Sequence, residues 1–190
     1  MTGRFEGAKV LVTGAAGGIG QAIVQAFLTE GAEVTDADRE SVDTKTSWIT
    51  GDLSDPAYCD ALPMRAADRM GGLTVVCNNA GMIARGRLPQ ATDADIAATL
   101  AVNIEAPVRI CRAAIPIMAD GGGGAIVNTA SCWGLHPGPN HPLYVMSKAA
   151  LASLTQCLGR DHAGDGIRVN AVCPNEVNTP MIRTGFTSRG

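Results

Sequence analysis

Aromatic side chains are scarce. Two Trp, two Tyr and three Phe among 190 residues are too few for a platform on which successive bases could stack. Basic charge is not in excess either: 15 Lys and Arg stand against 18 Asp and Glu, for a net charge of −3. With no basic stripe along the chain, nucleic acid is excluded as the main partner. Uncharged runs are broken by Gly, Pro and polar residues well short of a bilayer span, so no membrane partner is expected. The opening residues, Met1-Thr2-Gly3-Arg4-Phe5-Glu6-Gly7, lack the charged-then-apolar pattern of an export signal, and the expected location is cytoplasmic.

Paired cysteines are also missing. Cys59, Cys77, Cys111, Cys132, Cys157 and Cys173 stand singly, with no C-x-x-C among them. A chain of this size builds a core without covalent staples, so reduced and mostly buried thiols are expected. His136, His141 and His162 have no ligand spacing relative to those cysteines, and no metal is expected.

What is present is apolar residue in quantity, 46% of the chain, with 17% charged. That suits one folded domain over residues 1–190. Short apolar runs alternate with helical periodicity. Lys9–Thr13, Glu33–Asp36, Thr46–Thr50, Leu73–Cys77, Ala125–Thr129 and Ile167–Val172 read as strands. Helices are expected at about 19–30, 57–70, 93–118, with a bend at Pro107, and 143–163. Strands separated by helices imply right-handed βαβ units and a doubly wound parallel sheet.

Between the first strand and first helix lies Thr13-Gly14-Ala15-Ala16-Gly17-Gly18-Ile19-Gly20. Glycines there let the backbone turn tightly and bring a pyrophosphate against a helix N-terminus. Asp38 follows eighteen residues beyond Gly20, where a carboxylate reads the ribose hydroxyls of NAD and repels the 2′-phosphate of NADP. Arg39 beside it would attract that phosphate. NAD is therefore the expected cofactor, with NADP the alternative. Asp36 reads as a strand residue and not as a second reader.

Tyr144 and Lys148 are four residues apart on one helical face. Ser131 ends the fifth strand, at the carboxyl edge where open α/β sheets bind ligands. A free phenol titrates near 10, and an efficient base at neutral pH needs it roughly 3 units lower, about 4 kcal/mol. One ammonium about 5 Å away supplies about 3 kcal/mol at an effective dielectric near 20. Lys148 is expected to supply most of that activation.

The segments TGAAGGIG from Thr13, Asp38, Asp52-Leu53, Asn78-Asn79-Ala80-Gly81, Asn103, Ser131, Tyr144-x-x-x-Lys148 and Pro174 through Thr179 together resemble, in order and spacing, the compact branch of the short-chain dehydrogenase/reductase family. The resemblance implies a Rossmann-type sheet in the order 3-2-1-4-5-6, and a hydride exchange between a nicotinamide and a carbinol or ketone. Tyr144 would be the general acid/base and Ser131 would polarise the substrate oxygen. Lys148 would bind the nicotinamide ribose, with Asn103 anchoring a water behind it. Gly14, Gly18, Ile19 and Gly20 would hold the pyrophosphate, Asp52 and Leu53 would flank the adenine, and Asn79 and Ala80 would line the adenosine ribose. Tyr144, Lys148, Pro174, Val177 and Thr179 would complete the cofactor site.

Two features depart from the family pattern. Asn175-Glu176 stand after Pro174 where a glycine is usual; Asn tolerates the left-handed backbone such a turn would use. Asn175 and Glu176, with Ser131, Trp133 and His141, are the expected substrate contacts. They suit a small polar substrate such as a polyol, sugar or hydroxy acid. Relatives also carry a lid helix and a seventh parallel strand. Residues 181–190 read as the start of that lid, and the sequence is expected to continue past Gly190; a truly shortened chain would leave the sixth strand an exposed edge.

The run Ala149–Gly159 carries no charge and is small or apolar on every face. A partner subunit is the expected cover, giving a homodimer or homotetramer. The leading reading is an NAD-dependent oxidoreductase of small secondary alcohols and ketones. The alternatives are a 3-oxoacyl-thioester (acyl carrier protein) reductase using NADP and, in a different class, a catalytically silent nucleotide-binding protein.

Overall fold

The computed structural model describes residues 3–42 and 46–179. Six parallel strands form one sheet in the order β3-β2-β1-β4-β5-β6, as the sequence implied. They are β1 (Lys9–Thr13), β2 (Glu33–Asp38), β3 (Ser47–Thr50), β4 (Val75–Asn78), β5 (Gly124–Thr129) and β6 (Ile167–Val172). The connecting helices are α1 (Gly18–Thr29), α2 (Pro56–Met70), α3 (Asp93–Leu100), α4 (Ala106–Asp120) and α5 (Pro142–Asp161).

Val10, Leu11 and Val12 of β1 are all fully buried, as a central parallel strand covered on both faces requires. Their side chains alternate between two cores. Leu11 joins Ile49, Leu62, Ile110, Met118 and Ile126 beneath α2 and α4, while Val10 and Val12 join Val24 and Val34 beneath α1. On the α1 side the outer strands are more open, and Val172 is 47% exposed.

Local chemistry sets the helix ends. Asp55 caps α2 by accepting from the Ala57 amide at 2.9 Å, Pro56 starts the helix, and Gly71 ends it in the left-handed conformation. Thr92 and Asp95 cap α3 reciprocally. The helical stretch expected over 93–118 is continuous but not regular: a π-helical turn at Ala101–Glu105 lies between α3 and α4, and Pro107 falls in the first turn after it. Sequence periodicity does not reveal a single wide turn.

Asn78 and Asn128 bridge β4 and β5 through a 2.9 Å side-chain hydrogen bond, and Asn128 donates onward to Thr155 of α5 at 2.8 Å. This buried polar rung fixes α5 across the sheet. Cys59, Cys77 and Cys111 are buried and no cysteine is bonded to another, but Cys157 is exposed on α5, against the expectation of burial. No helix among the described residues is long and apolar enough to cross a membrane. The expected lid start at 181–190 lies outside the described residues.

Candidate functional site

A cleft of about 1250 Å³ opens along the carboxyl ends of the strands, where the chain order reverses on either side of β1. Of the residues singled out from sequence, Gly14, Gly18, Ile19, Asp38, Asp52, Leu53, Asn79, Ala80, Ser131, Trp133, His141, Tyr144, Lys148, Pro174, Asn175, Glu176, Val177 and Thr179 all line it. Two do not. Gly20 is buried, and a Cβ there would lie 2.0 Å from the Gly14 carbonyl oxygen. It therefore packs helix against loop, not loop against ligand. Asn103 is 1% exposed and sits behind the wall.

The glycine loop is a backbone cradle. Gly14 adopts φ +66, and a Cβ on it would meet the Ala80 Cα at 2.7 Å; only glycine fits. Thr13 Oγ1 accepts from the amides of Asn79 and Ala80, and the Asn79 side chain donates to the carbonyls of Thr13 and Gly14. Asn79 thus braces the loop as well as facing the cleft. Helix α1 starts at Gly17 with no capping side chain and no acidic residue in its first turn. Its leading amides and positive dipole end are left to an anion. A dinucleotide's pyrophosphate fits that donor set.

At the far end, Asp38 accepts from the Ala16 amide at 3.0 Å and from the Arg39 amide at 2.7 Å. Its carboxylate is held beside the phosphate cradle by β2 and the loop together. Arg39 lines the cleft next to it. Asp52 accepts from the Ser54 amide at 2.8 Å, which holds its carboxyl below the ordinary range. Asp36 is buried in β2 and accepts from Thr46, the strand residue the sequence suggested.

At the other end, Ser131 follows β5 and accepts from the Trp133 amide at 3.2 Å, while α5 brings Tyr144 and Lys148 back to the same edge. Burial pushes the Tyr144 phenol above its ordinary value, and a hydrogen bond with the Ser131 side chain pulls it partly back. Lys148 is 3% exposed, donates to the Thr129 carbonyl at 2.7 Å, and has Nζ 5.8 Å from the Tyr144 ring centroid. Burial lowers its own pKa to about 8.

The activation expected of Lys148 is opposed by burial, which pushes both groups toward their neutral forms, and the ammonium donates to the Thr129 carbonyl. Asn103, in the π turn, receives the Met82 amide at 2.9 Å and gives its two amide hydrogens to the Met82 carbonyl and Ser147 Oγ. Its side-chain donors are spent on structure.

The wall nearest Tyr144 is aromatic and polar. Trp133 stacks on His141 at 4.7 Å and meets the Tyr144 ring edge-on at 6.4 Å. Asn175 Oδ1 lies 3.3 Å from Cys132 Sγ, and the Cys132 amide donates to the Pro174 carbonyl. The left-handed turn expected at Asn175 is absent; among the described non-glycine residues only Asn140 has positive φ. The strand-like pairing of residues 130–132 with 172–174 keeps that segment extended. Sequence reasoning missed the stretch just after Gly81, whose Met82, Ile83, Arg85 and Gly86 line the cleft and which the Gly86 amide ties to the Asn140 carbonyl at 2.8 Å. Gly86 was its available signal.

Comparison with known proteins agrees with this geometry. The family model for short chain dehydrogenases matches residues 8–189. The chain is 34% identical to meso-2,3-butanediol dehydrogenase of Serratia marcescens over 98% of this chain and 80% of that protein. Among solved structures, a short chain dehydrogenase from Burkholderia cenocepacia J2315 in complex with NADP is 35% identical with a TM-score of 0.88, covering 94% of this chain and 78% of the other. A 3-ketoacyl-(acyl-carrier-protein) reductase from Brucella melitensis complexed with NADH is 27% identical with a TM-score of 0.90, covering 95% and 80%.

Proposed function

The chain belongs to the short-chain dehydrogenase family and is an NAD(P)-dependent oxidoreductase acting on CH–OH groups, and on that premise we propose that it interconverts a small polar secondary alcohol and its ketone with NAD(H). The observation that carries this is the meeting of Ser131, Tyr144 and Lys148 at one end of a cleft whose other end is the glycine cradle. One folded unit thus supplies both cofactor and substrate sites, in the cytoplasm and as a homodimer or homotetramer.

When bound, the nicotinamide accepts or returns the hydride; the protein supplies position and proton. The pyrophosphate would lie on Gly14, Gly18 and Ile19, with Asp38 on the adenosine ribose and Asp52 and Leu53 at the adenine. Lys148 would hold the nicotinamide ribose, and Val177 and Thr179 its carboxamide. In oxidation, the substrate hydroxyl gives its proton to the Tyr144 phenolate as the carbinol C–H pair departs as hydride. Ser131 holds the same oxygen and stabilises the ionised phenol. In reduction, the neutral phenol returns the proton. Trp133, His141, Asn175 and Glu176 would face the rest of the substrate; the likeness to a butanediol dehydrogenase supports a small hydroxylated one.

Asp38 favours NAD because its carboxylate would oppose a 2′-phosphate. A second reading, a 3-oxoacyl-thioester reductase using NADP, draws on Arg39 in the same wall and on the likeness to the Brucella reductase. NADH absorbance with a panel of polyols, sugars, hydroxy acids and 3-oxoacyl thioesters separates the two. Tyr144→Phe is expected to bind NAD and to turn over below about a tenth of the wild-type rate. Turnover above that level removes Tyr144 from its role.

A further inference from the structure

His141 is the cleft-lining side chain whose chemistry is most constrained. It is 4% exposed, and its Nδ1 lies 2.7 Å from the Pro139 carbonyl oxygen. A carbonyl only accepts, so Nδ1 must carry the hydrogen. In the neutral ring that leaves Nε2 without a proton, as an acceptor. Nε2 has no hydrogen-bond partner among the described residues, and it is absent from their fully enclosed polar atoms that lack one (Thr35 Oγ1, Asn78 Oδ1 and Thr99 Oγ1 among them). Its accessible surroundings are the cleft that the residue lines.

The ring is also held in place. It stacks on Trp133 at 4.7 Å, and Trp133 in turn meets the Tyr144 ring edge-on at 6.4 Å. His141 is the residue before α5, three before Tyr144 and with non-helical backbone, and both rings meet Trp133. The indole closes the space between them.

We infer that His141 is a specificity-determining residue whose fixed tautomer accepts a hydrogen bond from a second hydroxyl beside the reacting carbon. The substrate class this selects is the vicinal diol and its partner the α-hydroxyketone. This rests on the alcohol–ketone reading above and narrows it to substrates with a second hydroxyl. A substrate lacking the second hydroxyl leaves the buried acceptor unmet, the arrangement that gives strong discrimination between close analogues.

The test is kcat/KM with 2,3-butanediol and with 2-butanol, which differ by that one hydroxyl, for the wild type, His141→Phe and His141→Gln. The wild type is expected to prefer the diol by tenfold or more. His141→Phe keeps a ring against Trp133 and lacks the acceptor; its diol-to-alcohol ratio is expected to fall about tenfold, the factor one hydrogen bond of roughly 1.4 kcal/mol supplies. His141→Gln, with an amide oxygen in reach, is expected to recover part of the ratio. An unchanged ratio in His141→Phe, or equal losses with both substrates, overturns the inference and leaves the alcohol–ketone reading standing. A wild type that oxidises 2-butanol as well as the diol does the same. A wild type that oxidises neither, nor any other alcohol of the panel, overturns both.

Discussion

The Lys148 ammonium is bound to the Thr129 carbonyl at 2.7 Å and stands 5.8 Å from the centre of the Tyr144 ring. The two groups share a helix face without forming a pair. Each is pushed toward its neutral form by burial, the phenol upward and the amine down to about 8.

Lys148 should cost stability. Its folded pKa of about 8 lies below the ordinary 10.5, so at pH 7 the desolvated cation destabilises the fold by roughly 3 kcal/mol. The unfolded chain binds more protons than the folded one between about 8 and 10.5, so this penalty is relieved as pH rises through that window. Replacing Lys148 by Met leaves the Thr129 carbonyl without its donor, about 1 kcal/mol. Lys148→Met is expected to be about 2 kcal/mol more stable at pH 7 in urea unfolding, inactive, and to lose that advantage by about pH 10. A less stable variant at pH 7 contradicts the burial argument.

Oxidation and reduction should slope oppositely with pH. Alcohol oxidation needs the phenolate, and burial holds the Tyr144 phenol above its usual value. Oxidative kcat/KM is expected to climb from neutral into alkaline pH, and reductive kcat/KM to fall there. Parallel profiles in the two directions would count against Tyr144 as the group exchanging the proton.

Asp38→Asn should redirect the cofactor. The substitution keeps an acceptor for the Ala16 amide, which lies 3.0 Å from the carboxylate, and removes the charge. A carboxylate about 8 Å from one unit of 2′-phosphate charge opposes it by roughly 2 kcal/mol at an effective dielectric near 20. The NADP-to-NAD ratio of kcat/KM is expected to rise about thirtyfold. No change would mean that Asp38 does not face the adenosine ribose.

Asn128→Ala removes the middle of the rung from Asn78 to Thr155. Both neighbours are buried and lose this bond, Asn78 keeping Cys111 Sγ and Thr155 the Leu151 carbonyl. A loss of about 1–2 kcal/mol is expected in denaturant unfolding, since two buried hydrogen bonds are removed. A change below about 0.5 kcal/mol would show that water replaces the rung.

Sequence made the scaffold legible where local chemistry and tertiary structure agree. The β1 run, the glycine turn and the four-residue spacing of Tyr144 and Lys148 each carry their own signal. It was less informative where a residue's partner is distant in the chain. Nothing near Asn103 announces Met82 and Ser147, and nothing near Lys148 announces the Thr129 carbonyl. The positive φ arose at Asn140, not at Asn175, because a ladder contact from Cys132 holds the latter's segment extended. Spacing brought the right side chains to one edge; their directions depended on burial.

The π turn at Ala101–Glu105 amounts to one residue more than a regular helix would hold between the flanking segments. Excising a single residue there would let α3 and α4 fuse into a continuous rod and rotate everything upstream by about 100°. Asn103 would swing off the Met82 backbone and Ser147 together, unfastening the back of the catalytic corner without altering any side chain that faces the cleft. A one-residue deletion at this spot is thus a sharper disruption than most substitutions of the same segment.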